Sequence, residues 1–146
     1  MSRSTVDAER SVFAPHVRRF VEAPGRFATL ATIDPDGTPH QAVVWFLVTD
    51  EGLILNSREG RRWPANLKRD ARATLTVEAA YDYVTMKGTA EVVGDAERGQ
   101  ADIAAMARRY ESPEDAEDMI ERTFRPQTRV SFLFRPRTVV THGDLD

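Results

Sequence analysis

A short basic segment is the part of this sequence best suited to chemistry. Residues 58–72 contain six cations and two acids, whereas the whole chain of 146 residues has a formal net charge of −3. A basic island on an acidic protein favours a small anionic ligand, and the negative net charge argues against a general nucleic-acid binder. The opposing interpretation is a solvated helix face with scattered ion pairs. The cations are Arg58, Arg61, Arg62, Lys68, Arg69 and Arg72.

The order of residues within this segment predicts an anion site. A strand that ends in Asn56 and Ser57 is followed by a glycine, two arginines and a proline that opens a short helix. Free N–H groups and the dipole at a helix N-terminus favour an anion. Arg61 and Arg62 add charge-assisted hydrogen bonds to phosphate oxygens, and Ser57 can donate one more. The alternative is that both arginines pair with surface acids such as Glu59.

Four side chains near this segment are open to more than one interpretation. Trp63 is either an apolar wall of the ligand pocket or a plug that seals the end of a barrel. Trp45, within an apolar strand, is either a core residue or a cofactor contact. Asn66 is expected to bond backbone in the loop. His40 begins a strand, where side chains face a barrel mouth, and together with Trp63 and Asn66 it joins the candidate cofactor-binding residues.

No catalytic constellation of side chains is visible in the sequence. The chain has no cysteine, and His16, His40 and His142 show no ligand spacing with carboxylates, so no metal site is expected. G-x-S-x-G, P-loop and G-x-G-x-x-G motifs are absent, and nothing singles out an acid–base pair among 23 acids. A cofactor enzyme can leave the difficult chemistry to its cofactor. The catalytic residues therefore stay unassigned.

The hydrophobic periodicity predicts a strand-rich chain with helices at its edges. Strand 40–49 has apolar residues on both faces, which predicts that both faces are covered and favours a dimer. Short connections make the pairing antiparallel. The predicted helices are 7–22, 64–69, 96–110 and 113–123, and the predicted strands are 26–33, 40–49, 53–57, 73–77, 83–93, 129–134 and 138–141, the last two separated by Pro136.

These elements predict a mainly β protein, an antiparallel Greek-key barrel with flanking helices. A chain of this length is expected to form one domain over residues 1–146, with an N-terminal helix in residues 1–22 and a helical insertion at 96–123. The absence of cysteine and of a signal-like or membrane-spanning apolar run favours a cytoplasmic location.

Three sequence segments together resemble a known family. Residues 27–40 (F-A-T-L-A-T-I-D-P-D-G-T-P-H), 60–72 (G-R-R-W-P-A-N-L-K-R-D-A-R) and 87–91 (K-G-T-A-E) are similar, in order and spacing, to the flavin/deazaflavin oxidoreductase superfamily. This is the split β-barrel group related to pyridoxamine 5′-phosphate oxidase. Within it, N-L-x-R-D-x-R at 66–72 most resembles the B-type reductases of actinobacteria that depend on coenzyme F420. The resemblance covers roughly residues 20–142.

The resemblance implies a homodimer with two cofactor sites in clefts at the subunit interface. It implies coenzyme F420, a deazaflavin that exchanges a hydride with small organic substrates. Relatives often have lysine where this chain has Trp63, and Arg62 is the candidate to replace that charge. The residues implied at the phosphate are Asn56, Ser57, Arg61 and the start of the short helix, and those implied along the deazaflavin ring are His40, Val43 and Val44.

Two other functions remain open at this point. The same barrel supports an oxidase or reductase that uses FMN, of the pyridoxamine 5′-phosphate oxidase type. The chain is otherwise a non-catalytic protein that binds or stores the cofactor, or a tetrapyrrole-like or fatty ligand. No residue pattern names the substrate.

Overall fold

A computed structural model of this protein describes residues 11–145. Among them, the strands are β1 (Ala28–Ile33), β2 (Pro39–Val44), β3 (Leu47–Val48), β4 (Leu53–Arg58), β5 (Arg72–Ala79), β6 (Asp82–Val92) and β7 (Arg129–His142). The helices are α1 (Pro15–Glu22), α2 (Arg62–Arg69), α3 (Ala96–Tyr110) and α4 (Pro113–Met119), and a π-helical turn (Ile120–Phe124) follows α4. None of the helices in these residues is long and apolar enough to cross a membrane.

The seven strands form one antiparallel sheet in the order β2-β1-β5-β6-β7-β4-β3. The two edge strands, β2 and β3, are joined in the chain by only Trp45 and Phe46. Such a short connection requires the two edges of the sheet to lie close together, so the sheet curls into a barrel that is split between them. The predicted mainly β fold with flanking helices is confirmed.

The prediction of one long strand over residues 40–49 is wrong, because the chain changes partner within it. Residues 39–44 pair with β1, whereas Leu47 and Val48 pair with β4. At the break, side chains from the end of α3 take the place of ladder partners. The Phe46 N–H donates to Tyr110 Oη (3.3 Å), and the Phe46 carbonyl oxygen accepts from Arg109 Nη1 (2.5 Å). Buried backbone groups that leave a sheet need such partners.

The predicted interruption at Pro136 is also wrong, since β7 runs continuously through it. Pro136 pairs with Gly88 at a register shift between Lys87 and Gly88. A proline is tolerated at an irregularity of this kind, where one ladder hydrogen bond is already lost. Gly88 permits the close approach, because a Cβ there would lie 2.0 Å from the Arg135 carbonyl oxygen.

The helices follow the predictions with shifted ends. Helix α1 begins at Pro15, so residues 11–14 of the predicted helix 7–22 are not helical, and residues 7–10 lie outside the described residues. Helix α2 begins two residues before the predicted Pro64. Helix α3 has the predicted bounds, and Asp95 caps it by accepting from the Arg98 N–H. The predicted helix 113–123 is α4 followed by the π-helical turn.

Two apolar clusters lie on opposite faces of the β4–β7 part of the sheet. The barrel interior contains Leu53, Leu55 and Phe132, whereas Ile54 and Leu133 face the helices α3 and α4. This alternation explains why β4 is apolar on both faces. The sequence predicted that both faces of the strand over residues 40–49 are covered. Within one chain the outer face of β2 is not covered, since Val43 is 72% exposed.

Candidate functional site

A cleft of about 510 Å³ lies where the barrel is split. Strand β3 pairs only with Leu53 and Ile54, so residues 56–58 of β4 have no partner on that side and face β2 across the gap. The cleft is lined by His40, Gln41, Ala42, Val43, Val44, Trp45, Asn56, Ser57, Arg61, Arg62, Trp63, Ile103, Met106, Phe124 and Arg129. The split thus brings β2, the start of α2 and the helical insertion around one space.

The structure places eight of the nine candidate cofactor-binding residues around this cleft. They are His40, Val43, Val44, Asn56, Ser57, Arg61, Arg62 and Trp63. Asn66 does not line it. Its side chain is buried, and its Nδ2 donates to Thr32 Oγ1 (3.1 Å) and to Asp34 Oδ1 (2.9 Å). Asn66 therefore joins α2 to the end of β1.

The side chains of Arg61 and Ser57 line the cleft and have no hydrogen-bond partner among the described residues. The Arg61 side chain is exposed and forms no hydrogen bond or ion pair with another described residue. The Ser57 hydroxyl is buried and has no hydrogen-bond partner among the described residues. Helix α2 also begins here. Its first backbone N–H groups have no intrahelical acceptor, and no side chain caps them. These donors share one end of the cleft, and an anion would satisfy them.

Arg62 is already held by an acid. Its Nε donates to Asp34 Oδ1 (2.9 Å) and its Nη2 to Asp34 Oδ2 (2.5 Å). This bidentate pair, with help from Asn66, lowers the pKa of Asp34 to about 2. Glu59, the acid that the sequence offered as a partner, instead accepts from Lys68. Of the two adjacent arginines, Arg61 alone keeps its guanidinium free for a ligand.

The N-L-x-R-D-x-R segment joins α2 to the sheet. Leu67 is buried in the barrel core, and the Arg69 guanidinium donates to the Ile33 carbonyl oxygen and to Asn66 Oδ1. Asp70 pairs with Arg72. These contacts are all within the protein, so the segment fixes the position of the helix whose start borders the cleft.

We expect Asp34→Asn to remove part of the pH dependence of folding. The pKa of Asp34 is lower in the folded protein than in the unfolded chain. Its ionised form therefore contributes to the free energy of unfolding in full above the unfolded pKa of about 3.9, and this contribution is lost as the pH falls towards 2. Asp34→Asn should therefore lower the urea midpoint at pH 7 and differ little from wild type near pH 2. Urea titrations across this range test it, with the exposed acid Asp115→Asn as control. An equal deficit at both pH values would contradict the assignment.

Arg129 is a cleft residue that the sequence reasoning missed. It is 8% exposed, and its Nε donates to Asn56 Oδ1 (2.9 Å) and its Nη1 to Gln127 Oε1 (2.7 Å). Burial, together with the nearby charges of Arg61 and Arg58, lowers the pKa of Arg129 to about 10. Arg129 reaches the cleft because β7 pairs with β4, which places Arg129 opposite Arg58. Nothing local in the sequence signals that register.

The apolar walls of the cleft come from both tryptophans and from the helical insertion. Trp45 stacks on Tyr110 with ring centroids 5.1 Å apart and an interplanar angle of 7°. Trp63 packs against Phe132 in the barrel core and also borders the cleft, so it fills both of the roles considered for it. Ile103 and Met106 of α3 complete the wall. The sequence predicted α3 and the apolar face that contains these two residues, but it did not indicate what that face packs against.

Fold and site together define a split β-barrel with a cleft that is cationic at one end and apolar along its walls. The pyridoxamine 5′-phosphate oxidase family matches residues 13–142, and the chain belongs to that family. The family fold is one that binds flavin-type cofactors such as FMN. No curated protein sequence matches this chain.

Several solved structures are similar to this chain. The conserved hypothetical protein Rv2991 from Mycobacterium tuberculosis is 25% identical, with a TM-score of 0.70 over 97% of this chain and 84% of that one. An F420 reductase is 24% identical, with a TM-score of 0.65 over 84% and 94% of the two chains. HutZ, the heme storage protein from Vibrio cholerae, is 20% identical, with a TM-score of 0.64 over 86% and 92%. The last two likenesses show the fold alone.

Proposed function

We propose that this protein is an oxidoreductase of the B type that uses coenzyme F420 to exchange a hydride with a small organic substrate. The observation that carries the proposal is the pair of unsatisfied donors, the buried Ser57 hydroxyl and the free Arg61 guanidinium, at one end of an apolar-walled cleft. An elongated cofactor with an acid group and a flat ring matches this distribution of donors and apolar surface. The N-L-x-R-D-x-R resemblance and the likeness in fold to an F420 reductase support the deazaflavin.

Each group around the cleft has a distinct role in this proposal. Ser57, Arg61 and the first N–H groups of α2 bind the phosphate. His40, Val43 and Val44 lie along the ring, and β2, an edge strand paired only with β1, offers half of its backbone groups to the ring edge. Trp45 and Trp63 exclude water from its surroundings. When bound, the deazaflavin supplies the hydride chemistry, and the chain contributes orientation, which accounts for much of the rate in such reactions.

Titration with coenzyme F420 and, separately, with FMN tests the cofactor assignment. The chain has two tryptophans, Trp45 and Trp63, and both line the cleft, so quenching of their fluorescence reports occupancy directly. We expect saturable binding of F420 with a Kd near 1 μM, about −8 kcal/mol, and much weaker binding of FMN. Tight binding of FMN without binding of F420 would instead indicate an FMN-dependent oxidase or reductase. Binding of neither would overturn the cofactor proposal.

The FMN alternative has one observation in its favour. Arg61 and Arg129 both line the cleft, the charge of Arg58 acts on Arg129, and this concentration of positive charge suits the dianionic phosphate monoester of FMN. A protein that is yellow as purified and releases FMN on heating would support that function. Turnover of an acceptor by the protein loaded with cofactor separates both enzymes from a non-catalytic binding protein.

We further propose a homodimer, formed through the outer face of the sheet. One row across five neighbouring strands consists of uncharged residues in direct register, namely Val43, Thr29, Thr76, Thr85 and Val140. Val43 and Val140 are 72% and 60% exposed in a single chain. An uncharged row with an exposed valine at each end, one of them at the cleft, suits an interface with a second copy.

Val140→Glu is expected to convert the protein from dimer to monomer. The substitution places two like charges near a two-fold interface and desolvates them on association. Sedimentation equilibrium of wild type and variant measures the outcome, and Thr123→Glu, on the exposed π-helical turn, is the matched control. A wild-type monomer, or a Val140→Glu dimer as stable as wild type, would show that this face is not the interface.

A further inference from the structure

Arg129 is a buried cation that has no acidic partner within the part of the chain that the structure describes. Its guanidinium donates to the side-chain oxygens of Asn56 and Gln127, which are neutral amides, and lies 5.0 Å above the Phe124 ring. It forms no ion pair with any residue among 11–145, and its Nη2 has no hydrogen-bond partner there. A buried charge without a counter-charge is unfavourable unless something else neutralises it.

The neighbours of Arg129 add to this excess of positive charge. Arg58 lies opposite it in the β4–β7 ladder, and Arg61 lines the same cleft. Neither Arg58 nor Arg61 forms an ion pair with a described residue. Arg61 and Arg129 therefore line the cleft without an ion pair to any acid among residues 11–145, Arg58 lies beside Arg129, and the unsatisfied Ser57 hydroxyl lines the same cleft. Such an arrangement is stabilised by a ligand that brings negative charge.

Asn56 is engaged within the protein. Its Nδ2 donates to the Gly99 carbonyl oxygen (2.8 Å) and to Ser131 Oγ (3.0 Å), and its Oδ1 accepts from Arg129 Nε. Ser131 in turn donates to Asp102 Oδ2 (2.7 Å). Both amide hydrogens of Asn56 are thus used, and the side chain holds one edge of the Arg129 guanidinium in place.

We propose that Arg129 is the buried cation that binds the phosphate group of the ligand, and that Asn56 and Gln127 are positioning residues for its guanidinium. Arg129 Nη2 is the donor left for the phosphate, together with Arg61 and the Ser57 hydroxyl. This inference deepens the proposed function, since the phosphate belongs to the ligand in the same cleft. Both a phosphate monoester, as in FMN, and a phosphodiester, as in F420, satisfy this chemistry.

The test compares ligands that differ only in the phosphate-bearing tail. FMN is paired with riboflavin, and F420 with the deazaflavin chromophore that lacks the phosphate. Arg129→Gln should weaken binding of the phosphorylated form by at least about 10-fold and change binding of the phosphate-free form by less than about 2-fold. Arg137→Gln, an exposed arginine outside the cleft, is the matched control and should change neither. An equal loss for both forms, or no loss, would overturn the proposal.

A second variant keeps the test decisive if Arg129→Gln fails to fold. Gln127→Glu is nearly isosteric and gives Arg129 an internal carboxylate at the position of an existing 2.7 Å hydrogen bond. We expect it to raise the thermal midpoint and, at the same time, to weaken binding of phosphorylated ligands by about 10-fold. A structural role alone does not move stability and phosphate affinity in opposite directions. Unchanged phosphate affinity in Gln127→Glu would contradict the proposal.

Pyrophosphate separates failure of this inference from failure of the proposed function. If neither ring system binds to the wild-type protein, the proposed function fails, and calorimetric titration with pyrophosphate then decides the role of Arg129. Saturable binding that Arg129→Gln abolishes would support the anion site by itself. Equal binding by wild type and variant, or no binding by either, would overturn it.

Discussion

Arg61→Ala is expected to weaken cofactor binding by about 10-fold or more while leaving the thermal midpoint close to that of wild type. The Arg61 side chain is exposed and has no partner among the described residues, so its removal leaves no buried group unsatisfied. A charge-assisted hydrogen bond to a phosphate contributes about 1.5–3 kcal/mol, and the exposure of Arg61 favours the lower end. Fluorescence titration of the two cleft tryptophans gives the affinity, and thermal melting gives the stability.

Arg62→Ala is the matched control and should show the opposite pattern. It removes the bidentate partner of Asp34, a buried acid that also anchors Asn66, so the thermal midpoint should fall. Its direct effect on phosphate binding should be small, because its Nε and Nη2 are held by Asp34. The assignment fails if the two variants lose affinity to the same extent with equal stability.

Phe132→Ala is expected to cause one of the largest losses of stability available in this chain. Phe132 is fully buried in the barrel interior, and its ring lies 5.6 Å from that of Trp63. Removal of a buried phenyl ring costs about 3–5 kcal/mol through lost burial and the remaining cavity. This is a large share of the roughly 5–15 kcal/mol that stabilises an ordinary domain. Urea denaturation at pH 7 measures the difference.

Val92→Ala provides the comparison for Phe132→Ala at the end of the neighbouring strand. Val92 pairs with Phe132 in the β6–β7 ladder but is exposed, so its truncation should change the free energy of unfolding by about 0.5 kcal/mol or less. Phe132→Ala should also shift the wavelength of the Trp63 emission maximum, because the Trp63 ring packs against Phe132. A loss below about 1 kcal/mol for Phe132→Ala would contradict close packing of the barrel interior.

The helical insertion connects the barrel closure to the cleft. Helix α3 ends in Arg109 and Tyr110, whose side chains satisfy the Phe46 backbone at the point where the chain crosses from one sheet edge to the other. The Tyr110 ring also stacks on Trp45, the residue before Phe46. Both side chains therefore stabilise the strand break, and Tyr110 also positions Trp45 as a wall of the cleft. About three turns earlier in α3, Gly99 contacts the start of β7 closely, because a Cβ there would lie 2.1 Å from the Arg129 carbonyl oxygen.

Much of the fold and part of the site were predictable from local sequence pattern. Period-two alternation in residues 83–93 and a stripe at three- and four-residue spacing in 96–110 placed β6 and α3 almost to the residue. These signals are local, since they depend only on which face of an element is buried. The basic segment likewise predicted an anion site beside Ser57 and Arg61. The roles of these residues in cofactor binding stay predictions.

What the tertiary structure decided depends on partners that are distant in the chain. The break at Trp45 and Phe46 exists because the two sheet edges meet there, and no local pattern reveals that. Arg61 and Arg62 have the same side chain, yet the fold places Asp34 within reach of Arg62 alone. Arg129 enters the cleft only through the register of β7 against β4, which pairs it with Arg58, a residue 71 positions earlier in the chain. Local composition thus determined which elements form and where positive charge accumulates. Strand order and register, set by burial across the whole barrel, decided which of those charges remain free for a ligand.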